Sequence, residues 1–114
     1  MAKYENIRAL AKKQLQAVTE SSDRWKAFLQ TAAIAYNYSF PNQLLIHEQS
    51  PTATAVADIA YWNNNAGRWV KRGAHGIAVF DTRANSSRLR YLFDISDTIP
   101  RAEVPEALPW VITD

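Results

Sequence analysis

WNNNAGRWVKRGAHGIAVFD, residues 62–81, is the segment in which the sequence changes from a helical to an extended pattern. Before it, apolar residues recur at intervals of three and four; after it, they form a short run and then alternate. The NNNAG stretch interrupts the helical pattern, and Gly67 is suited to the left-handed conformation that commonly follows a helix. The segment therefore divides the chain into a helical first part and a β-strand second part.

Four helices are predicted in the first part. An amphipathic pattern predicts a helix over residues 4–18, and Ser22 is the predicted N-cap of a second helix with a buried apolar stripe. Pro41 suits the first turn of a short third helix that ends before Pro51. A fourth helix is predicted over residues 53–63. The stripe of the second helix consists of Trp25, Phe28, Leu29, Ala32, Ala33 and Tyr36.

Strands are predicted in the second part. Residues 77–80 form an apolar run, and residues 89–95 alternate between apolar and polar. These two segments are expected to form antiparallel strands that are joined by the ANSS turn. Residues 68–71 are a candidate third strand. Three of the five prolines follow Ile99, which predicts an extended tail over residues 99–114. The expected fold class is α+β: one domain over residues 1–98, with about four helices packed on a small antiparallel sheet of two or three strands.

Composition excludes several classes of protein. The 114 residues are 47% hydrophobic and 21% charged, as expected for a single globular domain. The absence of cysteine excludes disulfides, thiolate nucleophiles and cysteine metal sites, and it fits a cytoplasmic location. The least charged stretch, residues 27–46, is interrupted by polar side chains and a proline, so no membrane association is expected. The net charge of +2 favours an anionic partner only weakly.

Catalytic and metal-binding motifs are incomplete. His47 and Glu48 match the start of HExxH, but Pro51 occupies the position of the second histidine, so no metal site is predicted. The glycine-rich segment lacks the Lys-Ser/Thr pair of a phosphate-binding P-loop, and no serine lies in a nucleophile motif. We therefore expect a non-catalytic domain that needs no cofactor.

Basic side chains are concentrated around two glycines, with no carboxylate between Asp58 and Asp81. Gly73 and Gly76 match the GxxG spacing of loops that clamp a nucleic-acid backbone in KH domains. Their backbone N–H groups, together with cationic side chains, suit phosphate groups, and two aromatic rings suit unstacked bases. The predicted single-strand binding surface comprises Arg68, Trp69, Lys71, Arg72, Gly73, His75 and Gly76.

Structural explanations compete with this interpretation. Two glycines with positive φ explain a tight turn without any ligand, and Trp69 at an alternating strand position suits the core. The three asparagines from Asn63 to Asn65 suit a helix end as well as they suit base edges. The hairpin contains three arginines, for which two roles remain open: they extend the basic surface, or they only prevent aggregation at a strand edge. These residues are Arg83, Arg88 and Arg90.

Residues 25–98 resemble the N-terminal domain of ArdC-type antirestriction proteins. The resemblance is carried by YSFPNQLLI, GRWVKRGAHGI and FDISDT, and it is strongest to the variant that opens large multidomain proteins of Gram-positive mobile elements. It implies an α+β domain that binds single-stranded DNA, with further domains of a longer protein as additional partners. It also implies DNA contact by residues 68–76. It matches Asn42 and Gln43 to the family's helix-start motif, where the two residues are candidates either for nucleic-acid contact or for a structural role. The metallopeptidase-like domain of that family has no counterpart here.

Two functional hypotheses follow. The first is a non-catalytic module that binds single-stranded DNA during conjugation or antirestriction, with phosphates on the basic turn and bases on aromatic rings. The second is a protein-interaction or structural domain in which the basic turn meets an acidic partner.

Overall fold

The computed structural model describes residues 2–83 and 87–101. The fold is α+β, as predicted, with most of its helices before most of its strands. In chain order the elements are α1 (Ala2–Val18), α2 (Ser22–Ile34), α3 (Phe40–Gln49), β1 (Val56–Ala57), α4 (Ile59–Asn64), β2 (Arg68–Val70), β3 (Ile77–Phe80), β4 (Leu89–Asp94), a 3₁₀ turn (Ile95–Asp97) and β5 (Thr98–Pro100).

The strands form two separate antiparallel sheets. The larger sheet has the order β1-β4-β3, and β3 pairs with β4 from Ile77 opposite Leu92 to Phe80 opposite Leu89. The smaller sheet is a ribbon of β2 and β5, in which Trp69 lies opposite Ile99. Residues 68–70 are thus extended, but they pair with the end of the described chain and not with the hairpin.

The main core lies between the helices and the larger sheet. Leu45 and Ile46 of α3 pack with Val79 of β3 and Leu92 of β4, and all four are fully enclosed. A smaller cluster of Val18, Phe28 and Leu44 joins the first three helices. Burying residues of this size contributes about 1.5–3 kcal/mol for each side chain. The two clusters therefore fix α3 between its neighbouring helices and the sheet.

The buried face of α2 differs from the predicted stripe. Phe28 and Thr31 are buried, whereas Trp25 is 37% exposed and Tyr36 is 80% exposed, so the expectation of a buried Trp25 is wrong. The side chains of α3 determine the rotation of α2, because Thr31 Oγ1 shares a 2.8 Å hydrogen bond with His47 Nδ1. An aromatic stripe this wide contains two adjacent faces, and only one of them meets α3.

Two predicted helix starts are also corrected. The N-cap of α2 is Ser21, whose hydroxyl accepts from Arg24 N at 3.1 Å, and not Ser22. The fourth helix begins at Ile59, behind the N-cap Asp58, and not at residue 53. The preceding residues are extended because β1 pairs with β4.

The buried face of β4 carries polar residues. Leu92 and Asp94 are buried while Tyr91 is 39% exposed, so the alternating pattern identifies the strand but not its buried side. Burial alone would raise the pKa of Asp94, but hydrogen bonds from Ser96, Ala55 and Thr54 together hold that pKa below its ordinary value. The carboxylate thereby fastens the chain before β1 to the end of β4.

Ile99 and Pro100, the first residues of the predicted tail, are strand residues of β5. The remaining tail, residues 102–114 with Pro105, Pro109 and Trp110, lies outside the described residues, as do residues 84–86 of the hairpin turn. Within the described residues, no helix is long and apolar enough to cross a membrane.

Candidate nucleic-acid interface

The basic turn, residues 71–76, is held against the 3₁₀ turn that follows β4. Lys71 N donates to Asp97 O at 2.8 Å, and Lys71 Nζ donates to Ser96 O at 3.0 Å. Ala74 N donates to Lys71 O at 3.2 Å and closes the turn on itself. The ribbon of β2 and β5 thus leads the chain into the basic turn and fixes where it starts.

The cationic part of the basic turn faces solvent. Lys71, Arg72, Gly73 and His75 are exposed. Among the described residues, Arg72 has no side-chain hydrogen bond or ion pair, so its guanidinium is available for a bidentate contact with phosphate. The turn thus presents two cations, one imidazole and the exposed backbone of Gly73 to solvent.

The two glycines of the basic turn have different roles. Gly73 has φ +80°, as expected for a turn glycine, and Gly67 at the end of α4 has φ +65°. Gly76 has no positive φ; a Cβ there would lie 2.8 Å from Tyr91 Cβ. The explanation that both glycines have positive φ therefore fits Gly73 but not Gly76. Gly76 is needed because it has no side chain, which lets the backbone of the turn approach Tyr91 of β4 closely.

An exposed tyrosine beside the basic turn was missed by the sequence analysis. Tyr91 packs against Gly76, and Lys3 Nζ lies 5.1 Å from its ring centroid. Tyr91 therefore supplies an aromatic face and Lys3 a further cation next to the turn. Strand register brings Tyr91 beside the turn, because Tyr91 lies opposite Ala78 in the hairpin, and the position of α1 brings Lys3 to the tyrosine ring.

Trp69 is unavailable as a stacking plane. Its side chain is 6% exposed, and the guanidinium of Arg101 lies 4.7 Å from its ring centroid. The predicted role of Trp69 in base stacking is therefore wrong, and the alternative of a core position is confirmed. Arg68 is half-buried, and it donates to Thr98 Oγ1 at 2.6 Å and to Thr98 O at 3.2 Å. Its guanidinium holds the ribbon together.

Arg101 is an exposed cation that the sequence analysis placed in the tail. Its backbone N donates to Gly67 O at 2.9 Å, and its guanidinium donates to the carbonyl of Asn63. These contacts place Arg101 beside Arg68 at the other end of β2 from the basic turn. The ribbon therefore carries positive charge at both of its ends.

Asn42 and Gln43 have structural roles and do not form part of the surface. Asn42 is 2% exposed, and its amide bonds both Phe80 N, at 2.9 Å, and Phe80 O, at 3.0 Å. Gln43 Nε2 donates to Ala35 O and Tyr38 O and closes the loop between α2 and α3. The candidate DNA contact at Asn42 is not supported, because the amide is buried and its oxygen and nitrogen both bond the backbone of Phe80. Gln43 is occupied by the loop carbonyls.

The hairpin arginines do not extend the basic surface. Arg83 pairs with Asp81 at 3.0 Å, and Arg90 pairs with Asp58 at 2.9 Å. Arg83 and Arg88 also follow the far end of β3, a full strand length from the basic turn. The candidate interface is accordingly confined to the basic turn, the neighbouring Tyr91 and Lys3, and the ribbon.

The partial HExxH motif has a structural explanation. His47 bonds Thr31 and packs edge-on against Phe28. Burial lowers the pKa of His47, an effect that the nearby Glu48 opposes. The part of the chain that the structure describes contains no group of three histidine or acidic side chains placed to hold a metal ion.

Comparisons of the chain with protein-family models, with curated proteins and with solved structures find no match. The geometry of the basic turn and the sequence patterns are therefore the observations that bear on function.

Proposed function

We propose that this chain is a non-catalytic module that binds single-stranded DNA through the basic turn. The observation that carries the proposal is the exposure of Lys71 and Arg72 on a glycine turn whose backbone is open to solvent. Lysine provides a compact charge for a phosphate, and arginine provides a planar fork. Backbone N–H groups in such a turn add hydrogen bonds that do not depend on base sequence.

Single strands suit this surface better than duplex DNA. Tyr91 exposes an aromatic face beside the cations, and stacking of unpaired bases on aromatic rings tolerates any sequence. A duplex offers its bases only as edges within grooves, which are read by inserted helices or ribbons. We therefore expect tighter binding to a single strand than to a blunt duplex of equal length.

The sequence resemblance to ArdC-type domains supports the same function and adds a biological setting to the proposal. In that setting the module acts in the cytoplasm during transfer of a mobile element. It binds the entering strand and brings the further domains of a longer protein to it.

The test is a salt titration of binding to poly-dT with single-alanine variants. If about three or four phosphates are neutralised, log affinity should fall with log salt at a slope of roughly −2 to −3. Lys71→Ala and Arg72→Ala should each weaken binding and flatten that slope by about 0.7. The melting temperature of Arg72→Ala should stay close to the parent's, since exposed charges contribute little to folding. Lys71→Ala also loses the exposed bond to Ser96 O, so it should melt only slightly below the parent.

Lys13→Ala provides the matched control, because Lys13 is an exposed lysine on α1. It should keep the parent's affinity and slope. If a double variant lacking the charges of Lys71 and Arg72 binds poly-dT as tightly as the parent, the proposed site is wrong.

A second candidate function is a protein-interaction domain. It is favoured by the uncovered side of α2, where Trp25 and Leu29 are exposed, and by the exposed Tyr36 just after that helix. In this case the basic turn meets an acidic protein partner, and the chain does not bind poly-dT even at low salt. The same titration therefore separates the two candidates.

A further inference from the structure

A cleft of about 520 Å³ lies between the end of α2, β1, α4 and β4. Its volume falls within the range of small-ligand sites. Ile34, Val56 and Ile95 supply apolar lining, and Tyr38 and Tyr61 supply aromatic rings. Asn37, Asp58 and Arg90 supply polar groups in the same space. The function proposed above does not use this cleft.

The polar groups of the cleft are balanced in charge. Arg90 Nη2 donates to Asp58 Oδ2 at 2.9 Å, and the Arg90 guanidinium lies 5.9 Å from the ring centroid of Tyr38. Burial raises the pKa of Tyr38, against the opposing charge of Arg90, so its hydroxyl remains a neutral donor. A phosphate would find a cation already neutralised by a carboxylate. A neutral, planar ligand with donors and acceptors along its edge fits these groups better.

The cleft adjoins the basic turn through the 3₁₀ turn. Ile95 lines the cleft, and the carbonyl of the next residue, Ser96, accepts from Lys71 Nζ. The same short element thus contacts both the cation proposed for phosphate and the cleft. A strand held at Lys71 would have a nucleotide close to the cleft entrance.

We infer that this cleft receives one unstacked nucleobase of the bound strand. The inference rests on the proposed function and names the part of the molecule that contacts a base. Tyr61 is 49% exposed and lines the cleft, so its ring is available for stacking. Asn37, Asp58 and Arg90 supply amide, acceptor and donor groups for the edge of the base.

The experiment compares two oligonucleotides of equal length, oligo-dT and a strand in which every nucleotide is an abasic tetrahydrofuran unit. Both strands carry the same phosphates, so the basic turn should bind both. The parent should bind oligo-dT about tenfold more tightly or better, because stacking of even one base on an aromatic ring has this magnitude. Tyr61→Ala should reduce that preference severalfold, with the remainder due to stacking on Tyr91, and it should keep its affinity for the abasic strand.

Three further variants make the result specific to the cleft. Tyr61→Phe should retain the preference, because the ring remains. Tyr36→Ala removes a tyrosine that is exposed just after the end of α2, and it should bind like the parent. Ala66→Trp places a large side chain at an exposed residue that lines the cleft, so it should reduce binding to oligo-dT without removing any native group.

The two proposals fail in different ways. If Tyr61→Ala and Ala66→Trp both keep the parent's preference for oligo-dT, the cleft does not receive a base, although salt-dependent binding by the basic turn still stands. If the parent binds neither strand at low salt, the proposed function is wrong and the inference about the cleft is wrong with it.

Discussion

Gly73 and Gly76 show how two identical residues in one turn are required for different physical reasons. Gly73 needs a backbone conformation that side chains disfavour, and no atom lies within 4 Å of the space where its Cβ would be. Gly76 needs the space itself, because Tyr91 occupies it from the neighbouring strand. Substitution by asparagine distinguishes the two requirements, since asparagine tolerates the left-handed conformation better than alanine does.

We expect Gly73→Asn to be less destabilising than Gly73→Ala, which should cost about 1–2 kcal/mol in the free energy of unfolding. At Gly76, asparagine should be no better than alanine, because either Cβ forces Tyr91 or β3 to move at a cost of roughly 1–3 kcal/mol. Urea unfolding of the four variants measures the differences. Equal effects of alanine and asparagine at Gly73 would contradict the role assigned to its positive φ.

Tryptophan substitutions should separate exposed from buried aromatic residues. Trp62 is 4% exposed, and its Nε1 donates to Phe93 O at 3.0 Å, so Trp62→Ala should cost about 3–5 kcal/mol in the free energy of unfolding. Trp25 packs on Phe28 with a ring separation of 5.4 Å but is 37% exposed. Trp25→Ala should therefore cost about 1 kcal/mol. A loss at Trp25 as large as that at Trp62 would show that α2 buries its other face.

At the scale of elements, α3 protects the free edge of β3 with two side-chain amides. Asn42 forms hydrogen bonds with Phe80 N and Phe80 O. Gln49 forms the same pair of bonds with Ala78, two residues earlier on β3, to Ala78 N at 2.9 Å and to Ala78 O at 2.8 Å. The two amides are seven residues apart on α3, which places them on the same side of the helix. They take the place of a neighbouring strand, and an uncovered edge of this kind is prone to pairing with other chains.

Removal of either amide should expose one specific backbone position. Asn42→Ala should accelerate hydrogen exchange at the Phe80 amide and cost about 1–3 kcal/mol, because two buried backbone groups lose their partner. Gln49→Ala should accelerate exchange at the Ala78 amide instead. Gln30→Ala on the exposed part of α2 serves as control and should leave both amides protected. Unchanged exchange at Phe80 in Asn42→Ala would mean that the amide does not protect β3.

The elements differ in how far the sequence predicts them. Local signals predict α3, because Pro41 and the N-cap Ser39 define its start and Pro51 follows its end. The buried side of β4 has no local signal. It depends on Asp94 accepting from Thr54 and Ala55, forty residues away, and on Arg90 meeting Asp58.

The candidate site is predictable only in part for the same reason. Lys71, Arg72, Gly73 and His75 are adjacent in sequence, and the charge pattern alone locates the turn. Tyr91 and Lys3 reach it only through strand register and the position of α1. The cleft joins residues from five elements, the 3₁₀ turn included, and no spacing in the sequence indicates it.

At the scale of the whole molecule, the 3₁₀ turn connects the two sheets and both proposed contact regions. It follows β4 directly and leads into β5, so the larger sheet and the ribbon share one continuous stretch of backbone. Ile95 N donates to Ala55 O at 2.9 Å, while Asp97 O accepts from Lys71 N. Backbone hydrogen bonds at both ends of the 3₁₀ turn thus hold the cleft on one side and the basic turn on the other. This arrangement favours a fixed distance between a bound phosphate and a bound base.

The global stability should depend on pH through His47. Burial lowers the pKa of His47 in the folded chain below its ordinary value of 6.5, so the unfolded chain takes up a proton first as the pH falls. The stabilising contribution of neutral His47 is therefore complete above about pH 6.5 and declines below it until the folded-state pKa is reached. Urea unfolding between about pH 8 and pH 5 should show this decline in the free energy of unfolding. Asp94 does not contribute to the decline, because its lowered pKa keeps the carboxylate ionised throughout that range.

His47→Gln should be less stable than the parent near neutral pH, because it disturbs the contacts with Thr31 and Phe28, yet its stability should change less between the two ends of the pH range. His75→Gln is the matched control, since His75 is the other histidine of the chain and is exposed. It should keep the parent's decline. If the decline disappears in His75→Gln and persists in His47→Gln, burial of His47 is not the source of the pH dependence, because only removal of the buried imidazole should abolish a decline that burial causes.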